Sequence, residues 1–579
     1  MSLQPEYRRP LALILGIASL YLLLWLFLPK PAFWGIDNGY KFQGARAFAQ
    51  TGSVIVPYPG AELDHRGAFR TMISPFGRFK ERGQAPVFSV FFMMTTGLLY
   101  RLFGDIGPFL LPLLAGWGTL FAGWLLWERA RPSREPLLYL VLLGLGTPLL
   151  FYSLALWEHS AAMAFMTLAF AFIAPPIEEH DYRWGTVWAG LLMAAAAAMR
   201  TEAVIPALLL IIFWAYTERS RGDWLRYIAG LFAGLALFAV INDWQTTTPV
   251  PLHIISNLHS KNVPGFQETF GDRLANIYVL LVEGFPSPLW SILFIIPLVA
   301  GAMGRWWRRS PFWWYLFAGA VLFGWAIYLA SAFDAPDRVA YTLHTGGLLW
   351  VAPLLVLALI PFANRLKGFW GLVWIVCWLS IALIAFGSPT VRGVHWGPRF
   401  IVVFAPLLLL FATVRLQRWW SRYVFTRPLL LLLLAISVLN QFFSFDLLSE
   451  AVRRNDKVWR WVAEGEKIPI LTTAWWLPGD CAVLSDRSIW FLTDSRGRLN
   501  GAVGALRRSD ATAFRMVEYP PYLDKKTWTE LGVAVAREDY LNIGAKRLRR
   551  TLLQFVSAPV DSLITSLPEH SRNPAPAPD

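Results

Sequence analysis

The chain has 579 residues, of which 56% are hydrophobic and only 16% are charged. This composition excludes an ordinary soluble protein and predicts an α-helical, polytopic membrane protein. The net charge of +14 does not indicate nucleic-acid binding, because the basic residues form short clusters between apolar runs rather than one patch. The two cysteines lie in dissimilar surroundings, one apolar and one polar, so they predict neither a disulfide framework nor a cysteine metal site.

Apolar stretches recur from the N-terminus to about residue 440, and we predict about thirteen membrane-spanning helices. The first stretch follows two arginines and lacks a cleavage pattern, so we interpret it as a retained helix rather than a signal peptide. The predicted spans lie near 11–28, 108–127, 136–153, 157–175, 185–199, 203–217, 227–242, 287–303, 312–330, 346–362, 369–386, 400–414 and 428–444.

The stretch 86–103 is also long enough to span, and charge distribution decides against it. Without this span, one set of short loops carries about sixteen basic residues and the opposite set about six. Basic loops remain in the cytoplasm, so this arrangement places the N-terminus inside and the C-terminus outside. We therefore predict that 86–103 is a helix lying in, or re-entering, the outer membrane interface.

Three polar regions then face the outside. The first loop, about 29–107, is predicted to contain two interfacial helices, and a second large loop covers about 243–286. After a transmembrane domain of residues 1–445, residues 446–565 alternate β-rich and helical runs, which predicts a small extracytoplasmic α/β domain. The Pro-rich end, 566–579, is predicted to be disordered.

Several ionisable and aromatic residues lie at the predicted outer ends of spans. A charge is expensive to hold at such a depth, so these positions are candidates for a site. They are Asp37, Glu158, His159, Arg200, Glu202, His395, Trp396 and Arg399.

The surrounding motifs resemble the GT-C superfamily of integral membrane glycosyltransferases. The similar features are an acid after the first helix, the long first loop, APVFS followed by LYRLFGDIG, LWEHS, RTEA and WGPRF. The layout is most similar to that of protein mannosyltransferases and lipid A aminoarabinose transferases. The chain departs from the family pattern where Asn38, rather than a second acid, follows Asp37.

The resemblance implies transfer of a sugar from a polyprenyl-phosphate carrier to a hydroxyl of a lipid, glycan or protein acceptor, in the cytoplasmic (inner) membrane. Asp37 is the expected general base of an inverting displacement, with Glu158 as a second catalytic residue. Arg200 and Arg399 are expected to bind the donor phosphate. His159, Glu202, His395 and Trp396 are expected to support them. No metal site is assigned, and a divalent metal remains open.

Simpler interpretations exist for the same residues. Asp37 fits the N-cap of a helix starting near Gly39, Arg200 fits an interface anchor, and Glu202 fits a partner for Arg200. A transporter or flippase of a lipid-linked or anionic substrate is the main alternative function, and a non-catalytic envelope scaffold is another. The positions of the charges, at outer turns rather than at the centres of spans, favour the enzyme over a transporter.

Overall fold

The computed structural model describes most of the chain, and the elements and contacts given below belong to the part that it describes. The described residues are 5–73, 76–80, 83–131, 134–174, 183–214, 221–259, 269–283, 319, 322–328, 330–331, 334–335, 346–359, 368–388, 396–509, 511–543 and 546–556.

The first half of the chain is mostly helical, as its composition predicts. Its α-helices are Pro5–Leu26, Ile36–Thr51, Val90–Phe103, Leu110–Ala130, Leu137–Leu145, Leu149–Leu154, His159–Ile173, Arg183–Met199, Val204–Phe213, Arg221–Thr246, Leu252–His259 and Phe270–Leu281. A small antiparallel sheet in the first loop has the strand order β1-β3-β2, with β1 at Val56–Pro57, β2 at Gly77–Lys80 and β3 at Gly83–Pro86.

The second half continues with helices and ends in a sheet. Its α-helices are Leu348–Val351, Phe369–Gly387, Ala405–Arg422, Arg427–Ala463, Leu477–Asp480, Arg496–Arg507 and Lys525–Glu530. Its strands are β4 (Ile470–Thr472), β5 (Trp490–Leu492), β6 (Ala513–Glu518), β7 (Val533–Ile543) and β8 (Lys546–Phe555).

The protein is a membrane protein by the length and apolar character of its helices. Six described stretches are long and apolar enough to cross a bilayer: Tyr7–Leu26, Val90–Ala130, Arg221–Thr246, Phe369–Gly387, Val402–Arg422 and Val424–Ala463. Three shorter apolar helices, within 159–213, accompany them. The predicted spans 287–303 and most of 312–330 lie outside the described residues, so the count of thirteen stays a prediction.

The apolar stretch Val90–Ala130 divides into two helices. A straight helix of 41 residues would be about 60 Å long, roughly twice the thickness of the hydrocarbon layer. Gly104, with a φ of 61°, ends the helix Val90–Phe103, and a 3-10 turn over Gly104–Phe109 leads into the next helix. The segment predicted to be interfacial is therefore a separate helix, and its depth in the membrane stays a prediction.

Two predicted spans are interrupted rather than continuous. The stretch 346–362 forms the short helix Leu348–Val351 followed by a 3-10 helix over Pro353–Leu359. Pro353 lacks an N–H and disfavours a helical conformation in the residue before it, so the α-helix ends there. In the same way, Pro148 separates the helices Leu137–Leu145 and Leu149–Leu154 within the predicted span 136–153.

The chain divides into two compact units. The first comprises Met1–Tyr58, Met72–Arg460 and Pro478–Val483, and its large apolar core contains aromatic residues such as Tyr21, Trp127 and Tyr152. The helix Arg427–Ala463 continues well past the predicted domain boundary at residue 445, carrying charged residues in its last turns.

The second unit comprises Pro59–Thr71, Trp461–Leu477 and Leu484–Asp579. Its sheet has the order β5-β4-β6-β8-β7, in which β4 pairs in parallel with β5 and β6, and β8 pairs antiparallel with β6 and β7. The sequence did not lead us to expect that residues from the first loop belong here. Phe69 accepts a backbone hydrogen bond from Leu492 at 2.8 Å, and its ring contacts that of Phe491.

Candidate active site

Asp37 lies on the first turn of the helix Ile36–Thr51, in the first unit. The helix begins after Gly35, whose backbone is extended and which offers no side-chain cap. Asp37 is therefore the second residue of the helix and not its N-cap, so the capping interpretation of Asp37 is wrong. A carboxylate in this first turn interacts favourably with the helix dipole. Lys41 follows four residues later, on the same face of the helix.

Glu158 is a buried carboxylate held by two cations. It immediately precedes the helix His159–Ile173, at the N-cap position. Its Oε2 accepts a hydrogen bond from Lys41 Nζ at 2.6 Å, and its Oε1 accepts one from Arg200 Nη1 at 3.0 Å. Because a buried charge is strongly unfavourable without a partner, these three side chains depend on one another.

Lys41 is a residue of the site that we did not predict from the sequence. It is buried, and its ammonium group lies 4.3 Å from the centre of the Trp157 ring, in a cation–π contact. One signal in the sequence pointed to it, since Lys41 is one helical turn after Asp37. Its partner Glu158 is 117 residues away along the chain, so no local sequence pattern predicts that the two side chains pair.

Arg200 links Glu158 to a second acid. It lies in an extended conformation between the helix Arg183–Met199 and the 3-10 turn Thr201–Ala203. Its Nη2 donates to Glu202 Oε1 at 2.5 Å, so the predicted pairing of Arg200 with Glu202 is present.

Arg399 forms an ion pair with Asp37. Its Nη1 donates to Asp37 Oδ2 at 3.1 Å, across 362 residues of sequence. The turn before Arg399 contains Gly397, with a φ of 66°, and Pro398, which together direct the chain toward the helix that follows. Both side chains in this pair remain 21% exposed, whereas that of Glu158 is 4% exposed. Asp37 is thus the more accessible of the two predicted catalytic acids.

Arg200 and Arg399 both lie against the ring of Phe400. Their guanidinium carbons are 5.6 Å and 4.9 Å, respectively, from the centre of that ring. In each arginine the Nε atom is buried and has no hydrogen-bond partner among the described residues. Two cations with unused donors therefore converge on one aromatic side chain, next to the carboxylate of Asp37.

The predicted residues His159 and Trp396 make packing contacts and hydrogen bonds within the protein. His159 is fully buried and stacks on Tyr152, with ring centres 4.4 Å apart, so its position is that of a packed aromatic residue. Trp396 accepts from the Tyr152 hydroxyl at 2.9 Å through its carbonyl and donates to Gln441 at 3.2 Å through its indole. His395 lies outside the described residues.

His253 lies beside the ion-paired residues, on the helix Leu252–His259 of the predicted second loop. Its Nε2 lies 2.8 Å from the hydroxyl oxygen of Thr201. Thr201 is the residue that follows Arg200 in the sequence. Burial lowers the pKa of His253, although the nearby carboxylate of Glu202 opposes this effect. His253 is not among the site residues predicted from the sequence. Within the part of the chain that the structure describes, no three His, Cys, Asp or Glu residues are grouped so as to hold a metal ion.

No family model matches the chain, and no curated protein sequence matches it. Among solved structures, it is similar to ArnT from Cupriavidus metallidurans bound to undecaprenyl phosphate, with 14% identity, 94% of this chain and 98% of that chain covered, and a TM-score of 0.47. It is also similar to the oligosaccharyltransferase AglB from Archaeoglobus fulgidus in complex with an inhibitory peptide and a dolichol-phosphate, with 12% identity and a TM-score of 0.47. That similarity covers 88% of this chain and 69% of AglB.

A third similar structure is the arabinofuranosyltransferase AftD from Mycobacteria, with 14% identity and a TM-score of 0.45. The similarity covers 96% of this chain and 40% of AftD.

Proposed function

We propose that the protein is a GT-C-like glycosyltransferase that moves a sugar from a polyprenyl-phosphate carrier to an acceptor hydroxyl at the outer membrane–water interface. The observation that carries this proposal is the convergence of Asp37 with Arg399 and Arg200, two arginines that keep buried, unused Nε donors beside Phe400. An accessible carboxylate next to two cations is the set of groups that this displacement requires.

The two arginines suit the phosphate of the donor. A guanidinium group offers several N–H donors in a fixed plane and binds phosphate oxygens in pairs. As the bond between the anomeric carbon and the phosphate oxygen breaks, negative charge accumulates on the phosphate. Cations already held in position stabilise that charge without further rearrangement. The ring of Phe400 lies against both guanidinium groups and favours this placement through cation–π contacts.

Asp37 is our proposed general base. It accepts the proton of the acceptor hydroxyl while the hydroxyl oxygen attacks the anomeric carbon and the lipid phosphate leaves. A single displacement of this kind inverts the anomeric configuration. General-base help of this type contributes about 10²–10⁴ in rate. Asp37 suits this role better than Glu158, because its side chain is 21% exposed whereas that of Glu158 is 4% exposed.

Glu158 receives a different role from the one that the resemblance implies. Both of its oxygens already accept hydrogen bonds from cations, Lys41 and Arg200, inside the protein. We therefore assign Glu158 as a positioning residue that holds Arg200 toward the donor phosphate. Lys41 balances the second oxygen of the carboxylate and links it to the helix that carries Asp37.

The acceptor is a lipid, glycan or protein of the cell envelope in this proposal. The protein lies in the cytoplasmic membrane, with its N-terminus in the cytoplasm and its C-terminal region outside. The carrier chain requires a groove between helices, for which the helix Val90–Phe103 is our candidate wall, since its Leu98 and Leu102 are exposed apolar side chains.

The test is sugar transfer from a panel of radiolabelled polyprenyl-phosphate sugars in membranes that contain either the wild type or Asp37→Asn. We expect transfer from at least one donor, reduced by about 10²–10⁴ in the variant. Asp223→Asn is a matched control, because Asp223 also pairs with an arginine, at 3.0 Å, on a different helix. It should retain wild-type transfer.

The same experiment distinguishes the alternatives. Undiminished transfer by Asp37→Asn would remove Asp37 as the base while leaving the enzyme in place. If no donor supports transfer but the protein still binds the carrier lipid, the flippase interpretation takes precedence. Loss of carrier binding in Arg399→Ala would then identify the arginines as a binding site without chemistry.

A further inference from the structure

The segment Pro478–Val483 leaves the polar C-terminal region and joins the first unit. The strand β4 and the residues around it belong to the second unit, as do the residues from Leu484 onward. Between them, six residues pack on the helix Ile36–Thr51, which carries Asp37 and Lys41. We call these six residues the clamp segment.

The clamp segment approaches the helix at backbone distance. A Cβ atom built on Gly39 would lie 1.8 Å from the carbonyl oxygen of Gly479, and one built on Gly479 would lie 2.5 Å from a side-chain carbon of Ile36. Only residues without a side chain permit this approach at both positions. Close packing against Gly479 therefore requires a glycine at position 39, which the sequence alone did not indicate.

Hydrogen bonds continue the contact along the same helix. Arg46 is buried, and its two terminal nitrogens donate to the carbonyl oxygens of Ala482 and Val483, at 3.0 Å and 3.1 Å. Gln43 donates to the carbonyl oxygen of Pro478 at 3.4 Å. These bonds use carbonyl groups of the clamp segment, so they depend on its backbone path more than on its side chains.

The clamp contacts lie on the opposite face of the helix from the candidate site. At about 100° of rotation per residue, Asp37 and Lys41 share one face. Gly39, Gln43 and Arg46 share the other face. The helix is therefore held between the ion pairs of the site on one side and the clamp segment on the other.

Asn455 ties the clamp segment to the start of this helix. It is buried on the helix Arg427–Ala463, and its side-chain oxygen accepts from the backbone N–H of Phe33 at 2.9 Å. Its side-chain nitrogen donates to the carbonyl oxygen of Asp480, also at 2.9 Å. One amide thus fixes both the residues that lead into the helix and the segment that packs on it.

We propose that the clamp segment holds the helix Ile36–Thr51 at the position where Asp37 can act, and that Arg46 and Asn455 are positioning residues for the reaction. This inference rests on the proposed function. A displacement of about 1 Å in a catalytic group can cost about 10² in rate. The clamp segment is, on this view, a part of the catalytic apparatus.

The test combines kinetics with hydrogen–deuterium exchange on the full chain in detergent or nanodiscs. We expect Arg46→Ala and Asn455→Ala to raise the exchange of peptides from residues 33–51, and to lower kcat by about 10² with little change in KM for the donor. Arg46→Lys, which keeps the positive charge and one donor nitrogen in place of two, should restore part of kcat. Arg454→Ala is the control, because Arg454 neighbours Asn455 and pairs with Glu450 on the same helix.

The outcomes separate this inference from the proposed function. If the wild type transfers no sugar, the exchange measurement still decides whether the clamp segment orders the helix. Unchanged exchange over residues 33–51 in both variants would overturn the inference, even in an active enzyme. A variant that unfolds globally would show raised exchange throughout the helices. In that case Arg46→Lys, in place of the alanine variant, would be compared with the wild type. Exchange over residues 33–51 that returns toward the wild-type level in Arg46→Lys supports the clamp segment's role, and exchange as high as in Arg46→Ala contradicts it. In an active enzyme, kcat should follow the same order.

Discussion

Glu158 illustrates how one buried carboxylate determines the positions of two cations. Lys41 comes from the first loop and Arg200 from the turn after the helix Arg183–Met199, and both donate to the same carboxyl group. Neither cation is strongly exposed, so each loses its hydration and relies on the carboxylate for compensation. The position of Arg200, and hence of the proposed phosphate site, follows from this shared acid.

The substitution Glu158→Gln tests this dependence. It removes the charge that compensates Lys41 and Arg200, and breaking a buried pair costs about 3–5 kcal/mol of stability. We expect a lower thermal unfolding temperature in detergent, together with weaker transfer. The double variant Lys41→Met with Glu158→Gln should recover part of that stability, because the uncompensated lysine is removed.

Glu202→Gln serves as the comparison for this prediction. The side chain of Glu202 is 14% exposed, against 4% for Glu158, and it pairs with Arg200 alone in the ion pairs described. Its substitution should therefore cost less stability than Glu158→Gln. Equal losses for the two variants would contradict the assignment of Glu158 as the central acid.

At the scale of elements, the helix Ile36–Thr51 has two faces that make different contacts. One face presents Asp37 and Lys41 to the ion pairs, and the opposite face contacts the clamp segment. The glycine at position 44 of the same helix lies against Met93 of the helix Val90–Phe103. Four separate parts of the chain thus contact one short helix: the segments that carry Glu158 and Arg399, the clamp segment, and the helix Val90–Phe103.

The helix Leu252–His259 gives a prediction for pH. His253 has a lowered pKa in the folded protein, chiefly because of burial, so the folded state binds a proton less readily than the unfolded state. Its contribution to stability is present above the unfolded pKa of about 6.5 and decreases as the pH falls below that value. We therefore expect the unfolding temperature to drop between pH 7.5 and pH 5.5.

The variant His253→Asn isolates this effect. Asparagine keeps a hydrogen-bonding group near Thr201 but does not titrate, so the variant should lose less stability than the wild type over the same pH interval. The measurement is thermal unfolding of both proteins at the two pH values. An identical drop in wild type and variant would show that other groups cause the acid sensitivity.

At the scale of the whole molecule, charge and apolar length determine how the chain crosses the membrane. The predicted topology places the basic loops in the cytoplasm and the C-terminus outside. We expect a periplasm-active reporter fused after residue 556 to be active, and the same reporter fused in the basic loop near residue 131 to be inactive. Activity of both fusions, or the reverse pattern, would contradict the assignment of 86–103 as a non-spanning helix.

Apolar runs in the sequence predict the positions of many helices but not the interruptions within them. The helices Arg221–Thr246 and Phe369–Gly387 lie where apolar runs predicted spans, because span length and hydrophobicity are local properties of the chain. Proline chemistry accounts for the break before Pro353. We nevertheless predicted one continuous span over 346–362, because the whole stretch is apolar. The predicted boundary at 445 falls inside one helix, since polar residues alone do not end a helix.

By itself, the sequence determined that this is a membrane protein with acids and arginines at the ends of apolar runs, and it led to Asp37, Arg200 and Arg399 as candidates. Only the tertiary structure decided which groups meet. Lys41 reaches Glu158 across 117 residues, and Arg399 reaches Asp37 across 362. It also decided that Pro478–Val483 joins the first unit. The physical reason is that apolar length and charge bias act locally, whereas the pairing of buried charges and the close approach of two backbones depend on how distant segments pack.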